Sequence, residues 1–217
     1  MTKHCCIVGG GAALAQPLIA KWLMEGHRVT AVCQTTLPDH PDQAGMTVAR
    51  TGTAACLVRG VDLLVTMTGA TEDTKLDKMT EYAWCHVIGS VLDTVGWAFR
   101  KIQLYDGANV VVVGSILGST GGYGCASYAA AKAGLVGLVR AAANEWASRN
   151  ICVNLLELGY TNAGMGSRLD AKVKERIMGT IPLRRFAEPH EVVDAVEWLG
   201  RVRYATGTIV NLAGGLR

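Results

Sequence analysis

The chain has 217 residues, of which 50% are hydrophobic and 18% are charged, with a formal net charge of +3. That length suits a single domain, residues 1–217, that can cover a full sheet on both faces. A charged share below the usual ~25% indicates extensive buried surface, some of it in subunit contacts. The mild charge and the absence of a run of Lys or Arg argue against a nucleic-acid partner.

The cysteines and the first residues of the chain favour a reducing, cytoplasmic compartment. The seven cysteines form no CxxC pair, their number is odd, and several lie in apolar runs where a reduced thiol packs as a small hydrophobe. The chain begins Met-Thr-Lys-His before a strand, without the pattern of a signal peptide, and no apolar run reaches the ~18 residues of a membrane span. We therefore expect a soluble cytoplasmic protein without a membrane or metal site.

Apolar runs and helical periodicity alternate along the chain. The predicted strands cover residues 5–8, 29–33, 46–49, 61–66, 110–113, 151–156 and 208–212. The predicted helices begin near Ala15 and end at Gly26, and then cover residues 54–59, 81–104, 128–148 and 191–200. This alternation predicts an α/β fold in which a parallel sheet is doubly wound by helices, of the Rossmann type.

A glycine-rich turn joins the first strand to the first helix. Gly9, Gly10 and Gly11 follow the strand, and Leu14 lies just before the helix start, which Pro17 shifts to near Ala15. Glycines let the backbone approach an anion, while free N–H groups and the helix dipole attract it. We interpret these residues as a pyrophosphate site for a dinucleotide, with a turn that binds no ligand as the alternative.

The end of the second strand bears on which dinucleotide is bound. An acidic residue there would bind the ribose of NAD, but this chain has Cys33, followed by Gln34 and Thr35. Gln34 and Thr35 could donate hydrogen bonds to a 2′-phosphate, and Arg50 could reach it from the next strand. The pattern favours NADP(H) over NAD(H), with ordinary loop residues as the alternative.

Three residues form a candidate acid–base site. Tyr128 and Lys132 are four apart at the start of a predicted helix and therefore share one face, and Ser115 follows the valine-rich strand. A nearby ammonium draws the pKa of a phenol, ordinarily ~10, toward the working range. The Ser115 hydroxyl can polarise a carbonyl or an alcohol beside the phenol.

These residues resemble the Ser-Tyr-Lys pattern of the short-chain dehydrogenase/reductase family. Residues 61–69 resemble its Asp-x-Leu-Val-Asn-Asn-Ala-Gly strand, and residues 153–159 resemble its Val-Asn…Pro-Gly segment. Residues 181–189 and 206–215 resemble its C-terminal third. The glycine motif departs from the family, since Ala13 and Ala15 replace two of its three glycines.

The resemblance implies hydride transfer between a nicotinamide cofactor and a carbonyl/alcohol pair. Tyr128 would be the general acid, Lys132 would lower its pKa and hold the nicotinamide ribose, and Ser115 would orient the carbonyl. The family also uses an Asn that holds a water in a proton relay, and the register on Gly89 places His86 there. Further cofactor contacts are expected from Thr68, Gly69 and Gly159.

The eroded glycine motif leaves three functions open. The first is an NAD(P)(H)-dependent ketoreductase or alcohol dehydrogenase acting on a small, mainly apolar substrate. The second is a non-redox acid–base enzyme for elimination, cyclisation or isomerisation, and the third is a non-catalytic binding subunit. We expect a homodimer or homotetramer through the helices predicted at 81–104 and 128–148, and a mobile loop over residues 160–178. The expected substrate-side residues are Leu117, Tyr123, Cys125 and Met165.

Overall fold

A computed structural model describes residues 2–34, 38, 43–50 and 58–217. The strands, numbered β1 to β7 along the chain, are His4–Val8, Arg28–Cys33, Met46–Arg50, Arg59–Thr66, Gln103–Val113, Cys152–Leu158 and Ile209–Leu212. They form one sheet in the order β3-β2-β1-β4-β5-β6-β7, and every neighbouring pair is parallel.

Helices cover both faces of this sheet. The helices, numbered α1 to α7, are Ala15–Met24, Glu81–Ile88, Thr94–Lys101, Leu117–Thr120, Ala126–Trp146, Ala171–Thr180 and Pro189–Leu199. The buried side chains of α2, α3 and α5 form one hydrophobic cluster with the sheet, and those of α1 and α7 form a second cluster on the opposite face. The predicted doubly wound α/β fold is therefore confirmed.

The prediction of one continuous helix over residues 81–104 is wrong, because the helix is interrupted and it ends earlier. A π-helical turn, Gly89–Asp93, separates α2 from α3, and the Thr94 hydroxyl supports it with a 2.9 Å hydrogen bond to the Gly89 carbonyl. The helix ends at Lys101, and Leu104 already belongs to β5, where it pairs with Val61. Leu104 is buried in the strand as it would be in a helix, so apolar spacing alone does not distinguish the two.

The segment predicted as a loop over residues 160–178 contains a helix. Helix α6 begins after Asp170, whose side chain accepts a 2.9 Å hydrogen bond from the Lys172 amide. None of its residues is buried, so the apolar periodicity that marks a core-facing helix is weak. The helix predicted over residues 54–59 falls mostly outside the described residues, except that Arg59 begins β4.

The strand order places a cleft at one edge of the sheet. β1 lies between β2 and β4, so the chain leaves β1 on one side and returns on the other. In such sheets ligands bind beyond the carboxyl ends of the strands at this reversal point. The glycine-rich turn follows β1 and Ser115 follows β5, both at that edge.

No helix within the described residues is long and apolar enough to cross a membrane.

Candidate functional site

The structure brings Ser115, Tyr128 and Lys132 together. Ser115 lies near enough to the Tyr128 side chain to lower the pKa of its phenol by hydrogen bonding. The Lys132 ammonium lies 5.7 Å from the centre of the Tyr128 ring, one helical turn away on α5. Both α5 residues are buried, whereas Ser115 is half-buried at the end of β5. The three groups can therefore act on one atom placed beside the phenol.

Backbone carbonyls from two strand ends fix the Lys132 ammonium. Its Nζ donates hydrogen bonds of 2.9 Å to the carbonyl of Thr68, just beyond β4, and 2.9 Å to the carbonyl of Val113, the last residue of β5. Two of its three donors are used in this way. Burial lowers the pKa of Lys132 to about 8, because an apolar surrounding disfavours the charged form.

The pKa of Tyr128 shifts in the direction opposite to our expectation. Burial raises it to about 12, which outweighs the lowering effect of the Ser115 hydrogen bond, and Cys125 and Asp73 raise it further. Desolvation therefore dominates the net shift of the Tyr128 pKa, whereas we expected the lowering effect of Lys132 to dominate. A phenol with a high pKa remains protonated at neutral pH and can donate its proton.

The short helix α4 carries the chain from Ser115 toward Tyr128. The Ser115 Oγ accepts a 3.3 Å hydrogen bond from the Leu117 amide at the start of this turn. Gly118 then packs on α5, where a Cβ would come within 3.0 Å of the Ala133 nitrogen and the Lys132 carbonyl carbon. A side chain at position 118 would push α4 away from α5. Sequence analysis did not identify Gly118, whose role depends on this close packing.

His86 lies exposed on α2, whereas Tyr128 and Lys132 are buried. The His86 ring stacks on Tyr82, with 5.8 Å between ring centroids. The fully buried residue of the π-helical turn is Val91, whose carbonyl accepts a 3.4 Å hydrogen bond from the Thr68 hydroxyl.

The glycine-rich turn forms the wall of the cleft beyond β1. Gly9 has a φ of +90° and lies so close to β4 that a Cβ would be 2.5 Å from the Met67 carbonyl oxygen. Gly10 packs on β2, with a Cβ position 2.7 Å from the Ala31 Cβ, and Gly11 is half-buried beside it. Only glycine allows this backbone path at positions 9 and 10.

The start of α1 is open to an anion. Leu14 occupies the N-cap position and makes no side-chain cap. The Ala13 side chain is exposed, whereas Ala15 is fully buried on the protein side. The Gln16 amide holds the turn with hydrogen bonds of 2.8 Å to the Gly10 carbonyl and 3.3 Å to the Ala12 carbonyl. The buried Ala15 methyl therefore does not narrow the turn on its solvent side, and Gln16 is a support that sequence analysis missed.

The end of β2 is where the ribose of a dinucleotide would lie. Burial raises the pKa of the Cys33 thiol, while the amides of Gly11 and Gly10 and the charge of Arg50 act in the opposite direction. Arg50 pairs with Cys33 in the sheet and is exposed at the end of β3. Gln34, which directly follows Cys33, is exposed. Thr35 lies outside the described residues.

The other predicted cofactor contacts lie at neighbouring strand ends. Thr68 is buried and holds Lys132 through its carbonyl, whereas Gly69 is exposed, with a Cβ position 3.8 Å from Cε2 of Tyr128. Gly159 follows β6 and packs closely on Ala213, where a Cβ would be 2.7 Å from that residue's Cα. Thr68 and Gly69 therefore lie beside the Tyr128–Lys132 pair.

Residues expected on the substrate side differ in exposure. Tyr123 is 86% exposed and Met165 is 49% exposed, while Leu117 is half-buried and Cys125 is buried. Burial raises the pKa of the Cys125 thiol, which disfavours a thiolate nucleophile. Within the described residues, no group of three or more His, Cys, Asp or Glu side chains is placed to hold a metal ion.

Fold and site together define a doubly wound α/β protein with a glycine-rich turn after its first strand and a Ser-Tyr-Lys cluster. A family model described as enoyl-(acyl carrier protein) reductase matches residues 39–217. The chain is 36% identical over 162 residues to acetoacetyl-CoA reductase of an Acinetobacter species, strain RA3849, which covers 72% of this chain and 65% of the relative. It is 35% identical over 163 residues to 3-oxoacyl-(acyl-carrier-protein) reductase FabG of Staphylococcus epidermidis, with shares of 72% and 66%.

The chain belongs to the short-chain dehydrogenase/reductase family, as the sequence motifs predicted. The matched part spans just under two thirds of the length of these first two relatives. A short-chain dehydrogenase family protein from Francisella tularensis superposes with a TM-score of 0.90 at 15% identity, covering 100% of this chain and 99% of the other. A Serratia marcescens short-chain dehydrogenase/reductase variant gives 0.87 at 18% identity, covering 99% and 97%.

Proposed function

We propose that this protein interconverts a carbonyl and an alcohol on a small, mainly apolar substrate, using a nicotinamide cofactor with NADP(H) preferred. The observation that carries the proposal is the grouping of Ser115 with the buried Tyr128 phenol and the buried Lys132 ammonium. Relatives named acetoacetyl-CoA reductase and 3-oxoacyl-(acyl-carrier-protein) reductase make 3-oxoacyl thioesters the first substrates to test.

In the proposed reduction each residue has a separate task. The Ser115 hydroxyl donates a hydrogen bond to the substrate carbonyl and sets its orientation beside Tyr128. The Tyr128 hydroxyl gives its proton to the carbonyl oxygen as the alcohol forms. The Lys132 ammonium stabilises the resulting phenolate, and its remaining donor is available to a ribose hydroxyl. The nicotinamide group supplies the hydride when it is bound.

Several elements would hold the cofactor. Gly11 and the uncapped start of α1 at Leu14 would bind the pyrophosphate through backbone N–H groups, while Gly9 and Gly10, whose amides bond the Val32 carbonyl, would let it approach closely. Gln34 and Thr35 would contact the adenosine ribose, and Arg50 supports NADP(H), because a cation at the end of β3 would attract a 2′-phosphate. On the nicotinamide side Thr68, Gly69 and Gly159 would line the ring.

Cofactor titration tests the proposal directly. We expect saturable binding of NADPH, seen as enhanced cofactor fluorescence, with NADH bound more weakly. Lys132→Ala should weaken this binding, whereas Lys101→Ala, an exposed lysine at the end of α3, should not. Failure to bind either cofactor at millimolar concentration would contradict the redox function.

That result would favour a second function on the same residues. Two of the three family glycines are Ala13 and Ala15 in this chain, while Ser115, Tyr128 and Lys132 are all retained. A protein that had lost its cofactor but kept this cluster could still move protons in an elimination, cyclisation or isomerisation. Turnover without added nicotinamide would identify that case.

We also propose a homodimer or homotetramer formed through α2, α3 and α5. Tyr82 is 75% exposed and Trp84 is 39% exposed on α2, so this face presents aromatic surface that a second copy could cover. Light scattering at micromolar concentration tests this, and a monomer would contradict it. His86 lies on the same exposed helix, and we do not include it among the catalytic groups.

A further inference from the structure

A buried carboxylate lies beside the turn that carries Ser115. Glu157, near the end of β6, is 5% exposed. It accepts hydrogen bonds from the Ser119 hydroxyl on α4 and, at 3.1 Å, from the Asn211 side-chain amide on β7. Burying a carboxylate is costly unless hydrogen bonds replace its water. No Lys, Arg or His forms a salt bridge with Glu157 among the described residues.

The backbone around Ser115 is attached to the same strand. The Gly114 amide donates a 2.8 Å hydrogen bond to the Leu156 carbonyl, and the Ile116 amide donates one of 2.7 Å to the Leu158 carbonyl. Glu157 therefore lies between the two residues of β6 that hold the chain on either side of Ser115. Its side chain adds a third attachment, to the far end of α4.

The second side of α4 is fixed by α5. Gly118 packs on the backbone of Lys132 and Ala133, so α4 is held between α5 and the Glu157 side chain. This arrangement determines how far the Ser115 hydroxyl lies from Tyr128. Without the Ser119–Glu157 bond, α4 would keep its contact with α5 but lose its side-chain link to the sheet.

We infer that Glu157 is a positioning residue, which acts through Ser119 to hold α4 and thereby the Ser115 hydroxyl against Tyr128. This inference rests on the proposed function, because it assigns Glu157 a task in orienting the substrate carbonyl. Glu157 itself need not touch substrate or cofactor. Its effect is transmitted through one hydrogen bond and one turn of helix.

The test is a double-mutant cycle with Ser119→Ala and Ser115→Ala, measured by steady-state reduction of a 3-oxoacyl thioester. We expect Ser119→Ala to lower kcat by about tenfold, within the ~10²-fold that a misplacement of ~1 Å can cost. The KM for NADPH should stay within about twofold of the original, because the groups that bind cofactor are unchanged. In the Ser115→Ala background, Ser119→Ala should change kcat by less than about twofold, because the residue it positions is already absent.

Three further variants separate positioning from a general loss of structure. Ser119→Thr restores a hydroxyl and should recover most of kcat, and Glu157→Leu should match Ser119→Ala. Ser148→Ala, an exposed serine beyond the other end of α5, should leave kcat unchanged. Additive effects in the double mutant, or a Ser119→Ala enzyme with normal kcat, would overturn the inference, and neither result depends on Glu157→Leu folding.

Hydrogen exchange tests the inference without activity. The amides of Gly118, Ser119 and Thr120 bond within α4, to the carbonyls of Ser115 and Ile116. Ser119→Ala should speed their exchange while leaving the amides of the middle of α5 unchanged. Unchanged exchange in α4 would overturn the inference even if the protein reduces no substrate. Faster exchange in a protein without reductase activity would instead contradict the proposed function and leave the support of α4 by Glu157 standing.

Discussion

Lys132 donates a 2.9 Å hydrogen bond from its ammonium to the backbone carbonyl of Thr68. This contact joins helix α5 to the end of β4, across 64 residues of chain. The Thr68 hydroxyl in turn bonds the Val91 carbonyl in the π-helical turn. Thr68 therefore connects the Lys132 ammonium, the end of the sheet strand β4 and the π-helical turn between α2 and α3.

Removing only the phenolic hydroxyl should separate catalysis from folding. Tyr128→Phe keeps the buried ring, so we expect the melting temperature to change little. It removes the proton donor, and kcat for reduction should fall by about 10²–10⁴-fold, the usual contribution of a general acid. Steady-state kinetics and circular dichroism measure the two effects. An active Tyr128→Phe protein would exclude this residue as the acid.

The pH dependence of reduction should report Lys132. Its pKa is lowered to about 8 by burial, whereas the pKa of Tyr128 is raised to about 12. Tyr128 therefore stays protonated as the pH rises, while the ammonium that stabilises its phenolate is lost. We expect kcat/KM to be level below neutral pH and to fall as the pH rises through about 8. Lys101→Ala should keep this profile, and a level profile to about pH 10 would exclude the assignment.

The free energy of unfolding should rise with pH because of Lys132. Unfolded Lys132 binds its proton up to its ordinary pKa of 10.5, whereas the folded protein releases it above about 8. Between these values the unfolded state holds more protons, so stability rises with pH. The free energy of unfolding, relative to that of Lys132→Met, should increase by about 2 kcal/mol from pH 8 to pH 10. Urea denaturation at both pH values measures this, and a decrease would contradict it.

Two glycines on neighbouring helices should respond oppositely to alanine. At Gly118 a Cβ would come within 3.0 Å of backbone atoms of α5, which cannot move aside easily. Gly118→Ala should therefore destabilise the protein by about 1–3 kcal/mol and lower kcat. At Gly137, inside α5, a Cβ would meet nothing within 4 Å, so Gly137→Ala should stabilise the protein by about 0.5–1 kcal/mol. Thermal and urea unfolding compare them, and equal effects would contradict the packing argument.

Arg50 should distinguish the two cofactors. A charge-assisted hydrogen bond to a 2′-phosphate contributes about 1.5–3 kcal/mol, so Arg50→Ala should raise the Kd for NADPH by at least about tenfold. The Kd for NADH, which lacks that phosphate, should not change. Arg59→Ala, an exposed arginine at the start of β4, is the matched control. An equal loss for both cofactors would contradict NADP(H) preference at this position.

Local patterns in the sequence determined most of the fold. Apolar runs of strand length alternate with amphipathic segments, and this periodicity predicts a parallel sheet wound on both faces. The spacing of Tyr128 and Lys132 places both on one helix face because residues four apart share a face. The start of α1 at Ala15 followed from Pro17 in the same way. These features depend on neighbours within one or two turns, which the sequence displays directly.

Only the tertiary structure decided which distant groups meet. Glu157 stands in an apolar strand, and no local pattern connects it with Ser119, 38 residues earlier. The prediction of a helix at Leu104 was wrong because burial suits a helix and a strand equally. The pKa of Tyr128 depends on burial by segments far apart in sequence. Long-range packing sets these distances, because desolvation and hydrogen bonds between strand ends depend on how elements assemble rather than on residue order.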